Sequence, residues 1–449
     1  MRCMDYMVGS LAFSTLCREV LPRHLPVMIL SGGPMQPLPP HETAVKCLRT
    51  FLRFFNDDFR FFHDHEITTV FQEYIGGASC PSQAAYAAIN MVCACSTWIA
   101  NGVQPEISER FVENAMRVLP GTLMEEPNRI AVGTLLLMVT YLVSTSRSST
   151  AAMVLGSAAQ MMLLSGYHEK LFAAGGQSVD DVQEARLLYR GYCLEQDLSL
   201  RLGKPSLLTE SLVASLPDKL PVDSHGVIML KEGTSINYLR EQVVLAKTQN
   251  KVYEKLRTPQ CSARNGLEYL QDTCDLLDEL RRWSEALPPS VRPPNMPDGL
   301  AARQVMHIKT LHYTYYQTTI AIHSAMFAFS PLFAEPAVRA RVYTAVGGCA
   351  AAAREMLGLP MHLDTSHPFM PYLLHRVGWN IDGLLLNICV NRHTPEARQD
   401  LELLGGVVSA FERGASQYDG KVAHNAVTII YKTALEALTY PEAGNPPPV

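Results

Sequence analysis

From His41 onward, Val45, Leu48, Leu52, Phe55, Phe59 and Phe62 recur at alternating spacings of three and four, which predicts one apolar stripe on a long helix. The run of Gly and Pro just before it (Ser31-Gly-Gly-Pro-Met-Gln-Pro-Leu-Pro-Pro40) marks residues 1–40 as a tail or linker. The same period then continues along the chain. Pro81 falls in the first turn of an Ala-rich helix reaching Ala100, and a helix over 107–119 closes at Pro120-Gly121. Asn128 caps a helix to Val143, and 150–164 ends at Gly166. Residues 182–202 form the next helix. Residues 207–221 are irregular, and 224–233 form a connection that divides a 41–440 domain into halves, 41–222 and 234–440. Helices resume over 235–256 and 265–287, the latter stopping at Pro288-Pro289, and then over 301–329, 337–357, 375–390, 395–416 and 422–438. Residues 441–449 read as a tail. No fixed-period repeat is present, so the expected fold class is all-α, a multi-helix bundle rather than a solenoid.

The sharpest local signal is the end of the helix over 182–202. Leu194, Leu198 and either Arg201 or Leu202 keep the helical period up to Gly203. Gly203 suits the left-handed residue that closes a helix, and Pro205 prevents its resumption. Asp197 and Arg201 stand one turn apart and so form a pair. Arg201 also lies in the last turn, where the helix dipole favours a cation.

Composition narrows the partners. The chain has 449 residues, 47% of them hydrophobic, enough for a sizeable core. Its net charge of −5 and the lack of any run of five Lys or Arg argue against direct gripping of phosphate backbones. The 11 cysteines are scattered without a Cys-x-x-Cys pair. Cys47, Cys93, Cys193, Cys349 and Cys389 sit in apolar helical surroundings, the pattern of reduced thiols rather than of a disulfide framework. Asp5 interrupts the short apolar run at the start and no small-x-small cleavage site follows, so no secretory leader is expected. Residues 130–143 are strongly apolar but shorter than the roughly 20 residues that span a bilayer, and they read as a buried helix.

Catalytic motifs are sparse. No Gly-x-Gly-x-x-Gly, phosphate loop, Gly-x-Ser-x-Gly or His-Glu-x-x-His occurs. In His63-Asp-His65-Glu66, alternate residues on a helix point about 200° apart, so both imidazoles reach one metal only where the helix has ended. Asp180-Asp181-Val-Gln-Glu184 resembles the carboxylate motif with which terpene synthases hold Mg²⁺, and a helical enzyme of small-molecule metabolism is therefore the rival reading. The second metal motif of those enzymes is missing, and two acids in a first turn stabilise a helix N-terminus without any metal. His307, His312 and His323 lie on one helix among Tyr313, Tyr315 and Tyr316. Of these, His312, Tyr316 and His323 are candidates for lining an effector pocket.

The stretch Asp197-Leu-Ser-Leu-Arg-Leu-Gly-Lys-Pro205 resembles the "Asp-x-Ser-hydrophobic-x-Leu-Gly-Arg-Pro" signature in the regulatory region of fungal zinc-cluster transcription factors, with Lys204 for the usual Arg. Further resemblances follow in the family's order. Phe61-Phe62-His63 and Thr69-Val70-Phe71 resemble the opening aromatic helix, 131–141 the "Leu-Leu-x-x-x-Tyr" helix, and Ser165-Gly166-Tyr167-His168 the "Leu-Gly-Leu-His" turn. Leu280-Arg-Arg-Trp-Ser-Glu-Ala-Leu-Pro288 resembles "Leu-x-x-Trp-x-x-x-Leu-Pro", with Trp283, Leu287 and Pro288 at the defining places. Ile322-His323-Ser324 and 349–356 complete the order, so the resemblance spans about residues 45–415.

The resemblance implies a transcriptional regulator or co-regulator in the nucleus, or shared between nucleus and cytoplasm, not an enzyme, acting on metabolic or secondary-metabolite genes; a non-regulatory binding module is the third reading. Its expected partners are other transcription factors or co-regulators and a small-molecule effector. The family's six-cysteine zinc cluster has no counterpart: Cys3 and Cys17 alone precede Cys47. No cofactor, metal site, DNA-binding residue or membrane contact is therefore expected. Zinc and direct DNA reading would enter only through an upstream zinc-cluster exon, and DNA is otherwise reached through partners. Asp197, Leu200, Arg201, Leu202, Gly203 and Pro205 are expected to hold the helix end in place, and Trp283 and Leu287 to anchor packing.

Overall fold

Why a helical chain packs here is visible in its most apolar segment. In the computed structural model the described residues are 35, 37–77, 82–101, 105–145, 147–170, 178–217, 219–328, 336–359, 381–415 and 421–439. Among them the protein is all-α apart from one two-stranded hairpin. Helices α1 (His41–Phe51), α2 (Asp64–Ile75), α3 (Gln83–Asn101) and α4 (Pro105–Met124) precede the apolar segment, which is α5 (Arg129–Ser144). Every residue from Ala131 to Val143 is buried, so α5 is apolar on all sides because it is surrounded. Asn128 caps it, its side chain accepting from the Ala131 N–H at 2.9 Å. Gly133 permits its closest approach: a Cβ there would stand 2.3 Å from the Phe61 carbonyl oxygen. No described helix is long and apolar enough to cross a membrane.

The remaining helices are α6 (Ser148–Leu164), α7 (Val179–Leu202), α8 (Tyr238–Leu256), α9 (Gly266–Ala286), α10 (Ala302–Ala328), α11 (Pro336–Gly358), α12 (Asp382–Val390), α13 (Pro395–Ala415) and α14 (Lys421–Thr439). α7 packs on α5, α6 and α8, and α8 packs on α9 and α10. α10 carries the core on into α11, and α12 to α14 pack in succession beyond it. One continuous apolar core runs from Ala44 to Ala434.

Three local expectations need correction. The stripe from Val45 to Phe62 is not one helix. α1 passes into a π-turn at Leu52–Asn56 and a last turn at Asp57–Phe59, and Arg60 then turns left-handed at φ 50°. Phe61 and Phe62 remain buried, but from a loop. The cause is Asn56, whose amide donates to the Phe62 carbonyl at 2.8 Å and accepts from the Phe62 N–H at 3.0 Å. The helix of Ile107 does not close at Pro120-Gly121 but runs to Met124. The helix continues past Pro120 despite its missing donor, and the turn beyond it buries Thr122.

Residues 235–237 are not helical. Ser235–Asn237 is a strand paired antiparallel with Val227–Met229, in the register Ile228 opposite Ile236, and Gly233 at φ 81° makes the turn. Asn237 then caps α8, accepting from the Leu239 N–H at 3.0 Å. The expectations at Pro81 and over 375–380 and 416, and those for the two tails save a few residues before His41, lie outside the described residues.

Candidate functional site

The signature residues Asp197 to Pro205 sit at the C-terminal end of α7 and in the loop that follows. Ser178 and Asp181 start the helix as a reciprocal capping box. At the other end Gly203 adopts φ 62°, ψ 39°, and the Lys204 N–H reaches the Ser199 carbonyl at 3.1 Å. The loop past Pro205 is drawn back onto the helix. Glu195 accepts from the Leu207 and Leu208 N–H groups at 2.5 and 2.7 Å, and Gln196 donates to Ser206 Oγ and the Leu208 carbonyl at 2.8 and 3.0 Å. Burial pushes the Glu195 carboxyl up, against the pull of those two amides.

Asp197 and Arg201 form an ion pair at 2.8 Å with side chains only 5% and 1% exposed. From α10, Gln317 donates to Asp197 Oδ1 at 3.0 Å, so the pair also ties α7 to the second half of the chain. Leu200 is buried between them in sequence, and Leu202 is half-buried. Gly203 and Pro205 face solvent, as an end of helix requires.

Trp283 on α9 donates from Nε1 to Glu241 Oε2 at 2.9 Å and stacks on Tyr315 at 5.7 Å. Tyr316 meets Tyr315 edge-on at 5.2 Å. Leu287 is buried, and Pro288 leads into a short turn at Pro289–Val291. His312 Nε2 bonds the Val291 carbonyl at 2.9 Å, and since a carbonyl only accepts, the proton is assigned to Nε2. Burial holds His312 down to about 4 against that bond, and does the same to His323, which lies against Gly348. Burial also lowers His307, against the pull of Asp58. His312, Tyr316 and His323 share one face of α10, yet none lines either of the two cavities described next.

The acidic members of the two metal-like clusters have partners of their own. His63 precedes α2, and Glu66 of that cluster pairs with Arg129 at 2.6 Å. Arg129 also pairs with Asp180 at 2.9 Å, Asp181 serves the capping box, and Glu184 bonds Lys170. Among the described residues no three His, Cys, Asp or Glu side chains converge on a point, and the described cysteines are free thiols.

The N-terminal half of α7 lines a cavity of about 140 Å³, facing the hairpin and the loop before it. Its polar wall is Arg186, Arg190 and His225, and its apolar wall includes Val182, Ala185, Leu216, Pro217 and Leu239. Arg186 bonds Asp223 Oδ2 at 2.8 Å and Gln183 Oε1 at 3.1 Å. Arg190 donates to Gln242 Oε1 at 2.7 Å and the Asp58 carbonyl at 3.0 Å, and its guanidinium lies over the rings of Phe59 and Tyr238 at 5.4 and 5.2 Å. A smaller cavity of about 30 Å³, water-sized, lies further along α7 between Arg190 and Asp197.

Arg60 and Ser224 are the two non-glycine residues at positive φ among those described, at 50° and 52°, and both serve the larger cavity. Ser224 sets the turn that presents His225, and Arg60 Nε donates to His225 Nδ1 at 3.3 Å. The backbone carbonyl of Arg60 is itself held by Gln183 at 2.7 Å. Sequence reasoning missed this site. The available signal was Gln183, Arg186 and Arg190 at helical spacing, which by pattern alone reads as a solvated face.

The chain is 25% identical over 395 residues to an ABC-transporter-regulating transcription factor of Aspergillus oryzae, and equally so to one of Aspergillus fumigatus. The similarity covers 83% of this chain, so it includes the signature helix and Trp283 wherever it begins. The chain spans less than half, 44%, of the length of these relatives. No profile of a known protein family matches it.

Proposed function

We propose that this chain is a transcriptional regulator or co-regulator in a fungus, a helical regulatory domain that answers to an effector or a partner protein. The observation that carries the reading is collinear similarity to two fungal transcription factors over most of the chain. Mechanistically, an effector acts by its differential affinity for two packings of the helices, and a partner reads the favoured one. The negative charge and scarcity of basic runs support a route to DNA through partners in the nucleus.

The names of the relatives point to ABC-transporter genes as the first transcripts to measure. Deleting the gene in its host should change a defined transcript set, and restoring the chain should reverse the change. Unaltered transcripts in the deletion strain would refute the regulator reading. The isolated chain should show no sequence-selective duplex binding at physiological salt; nanomolar, selective retention of DNA would overturn the co-regulator version.

A further inference from the structure

We infer that the cavity beside Arg190 binds a small carboxylate whose apolar body is about the size of one ring. The site rests on the effector-responsive reading for its biological role, though not for its chemistry.

Charge comes first. Arg60 holds Asp64 at 2.8 Å and Arg186 holds Asp223 at 2.8 Å, whereas Arg190 is within 4.0 Å of no described carboxylate. The nearby Asp58 Oδ1 lies 3.3 Å from His307 Nε2 and 3.8 Å from Arg303 Nε, with no hydrogen bond to either. Arg190 is thus a desolvated cation held by neutral oxygens and two aromatic faces. Burial lowers the His225 imidazole to about 2, and the fields of Arg186, Arg60 and Arg190 push the same way against that of Asp223.

Donor count comes second. Arg60 Nε can only donate, so His225 Nδ1 is its acceptor and the ring proton belongs on Nε2. That buried Nε2–H meets no acceptor among the described residues, and neither does the buried Arg190 Nε–H. Both donors belong to residues that line the cavity, and a carboxylate carries two acceptor oxygens. The lining also includes the aliphatic Val182, Ala185, Leu216 and Leu239, and a cavity of about 150 Å³ accommodates a benzene-sized body. A tetrahedral phosphate would match the donors less well and would waste the apolar wall. The exposed rim residue is Val222, at 84%.

Titration calorimetry and thermal melting of the whole chain should use sodium benzoate, sodium hexanoate, benzyl alcohol and inorganic phosphate. At least one of the two carboxylates should bind saturably at one per chain and raise the melting temperature, with benzyl alcohol and phosphate at least tenfold weaker. Arg190→Met should weaken carboxylate binding at least tenfold. Val222→Trp, at a rim position with no packing to lose, should block the mouth while melting like the parent. Absence of saturable binding by both carboxylates, phosphate binding more tightly than either, or unchanged affinity in both variants would overturn the inference. Binding is read without transcription, so its failure would leave the transcript test of the regulator reading intact.

Discussion

The two ends of α7 are built from similar residues and arrive at opposite electrostatic outcomes. Toward its C-terminus, Arg201 is buried against Asp197, Asp197 is held by Gln317, and Glu195 and Gln196 take up the backbone of the loop that follows. Toward its N-terminus, Arg190 is buried against neutral groups, and His225 keeps a donor to which no described acceptor responds. The first end gives its buried cation a carboxylate partner, which specifies geometry. The second carries desolvated donors beside a cavity, the condition under which a ligand gains most from binding.

The contrast breaks most visibly at Asp197. Asp197→Ala leaves the Arg201 guanidinium buried without its carboxylate and should cost about 3–5 kcal/mol in urea unfolding. If its cost fell below that of Arg190→Met, the end with the ion pair would not be the stabilising one. Acid offers a second test on the packed side. The unfolded imidazole of His312 takes a proton near pH 6.5, while the folded ring refuses it until about 4, so the unfolded state binds more protons in that window. Stability should fall as pH drops from 7 to 5, with His312 supplying about 1–2 kcal/mol of the loss. His312→Gln keeps a donor for the Val291 carbonyl and should flatten that slope. An unchanged slope would remove His312 from the account.

Gly203→Val isolates backbone strain, because no heavy atom lies within 4 Å of the Cβ it would add. It should cost about 1–2 kcal/mol through φ alone. A variant that melts like the parent yet abolishes reporter output would make this turn a contact surface instead. Smallest is Arg190→Met, expected within about 1 kcal/mol of the parent because two lost hydrogen bonds are offset by removal of a desolvated cation.

The sequence disclosed the features that are local. Asn128, Gly203 and Pro288-Pro289 end or begin helices because a side-chain cap, a left-handed residue or a missing donor acts within one turn. Apolar residues 131–143 announced a surrounded helix for the same reason. What escaped depends on partners far along the chain. Phe62 leaves the first helix through the Asn56 clamp and the contact with Gly133, and the hairpin needs 227–229 to pair with 235–237. The cavity needs Arg60 to reach His225 across 165 residues, a coincidence no periodicity encodes.

The bond from Gln317 to Asp197 spans 120 residues and sets an order of events during synthesis. At about 5–20 residues per second, the signature helix leaves the ribosome roughly 6–24 s before its partner on α10 has been made. Through that interval Asp197 has no Gln317 to bond, so the tie between α7 and α10 closes only after translation passes Gln317. Slowing the ribosome between the two codons should prolong that interval, with no change in the finished protein's stability.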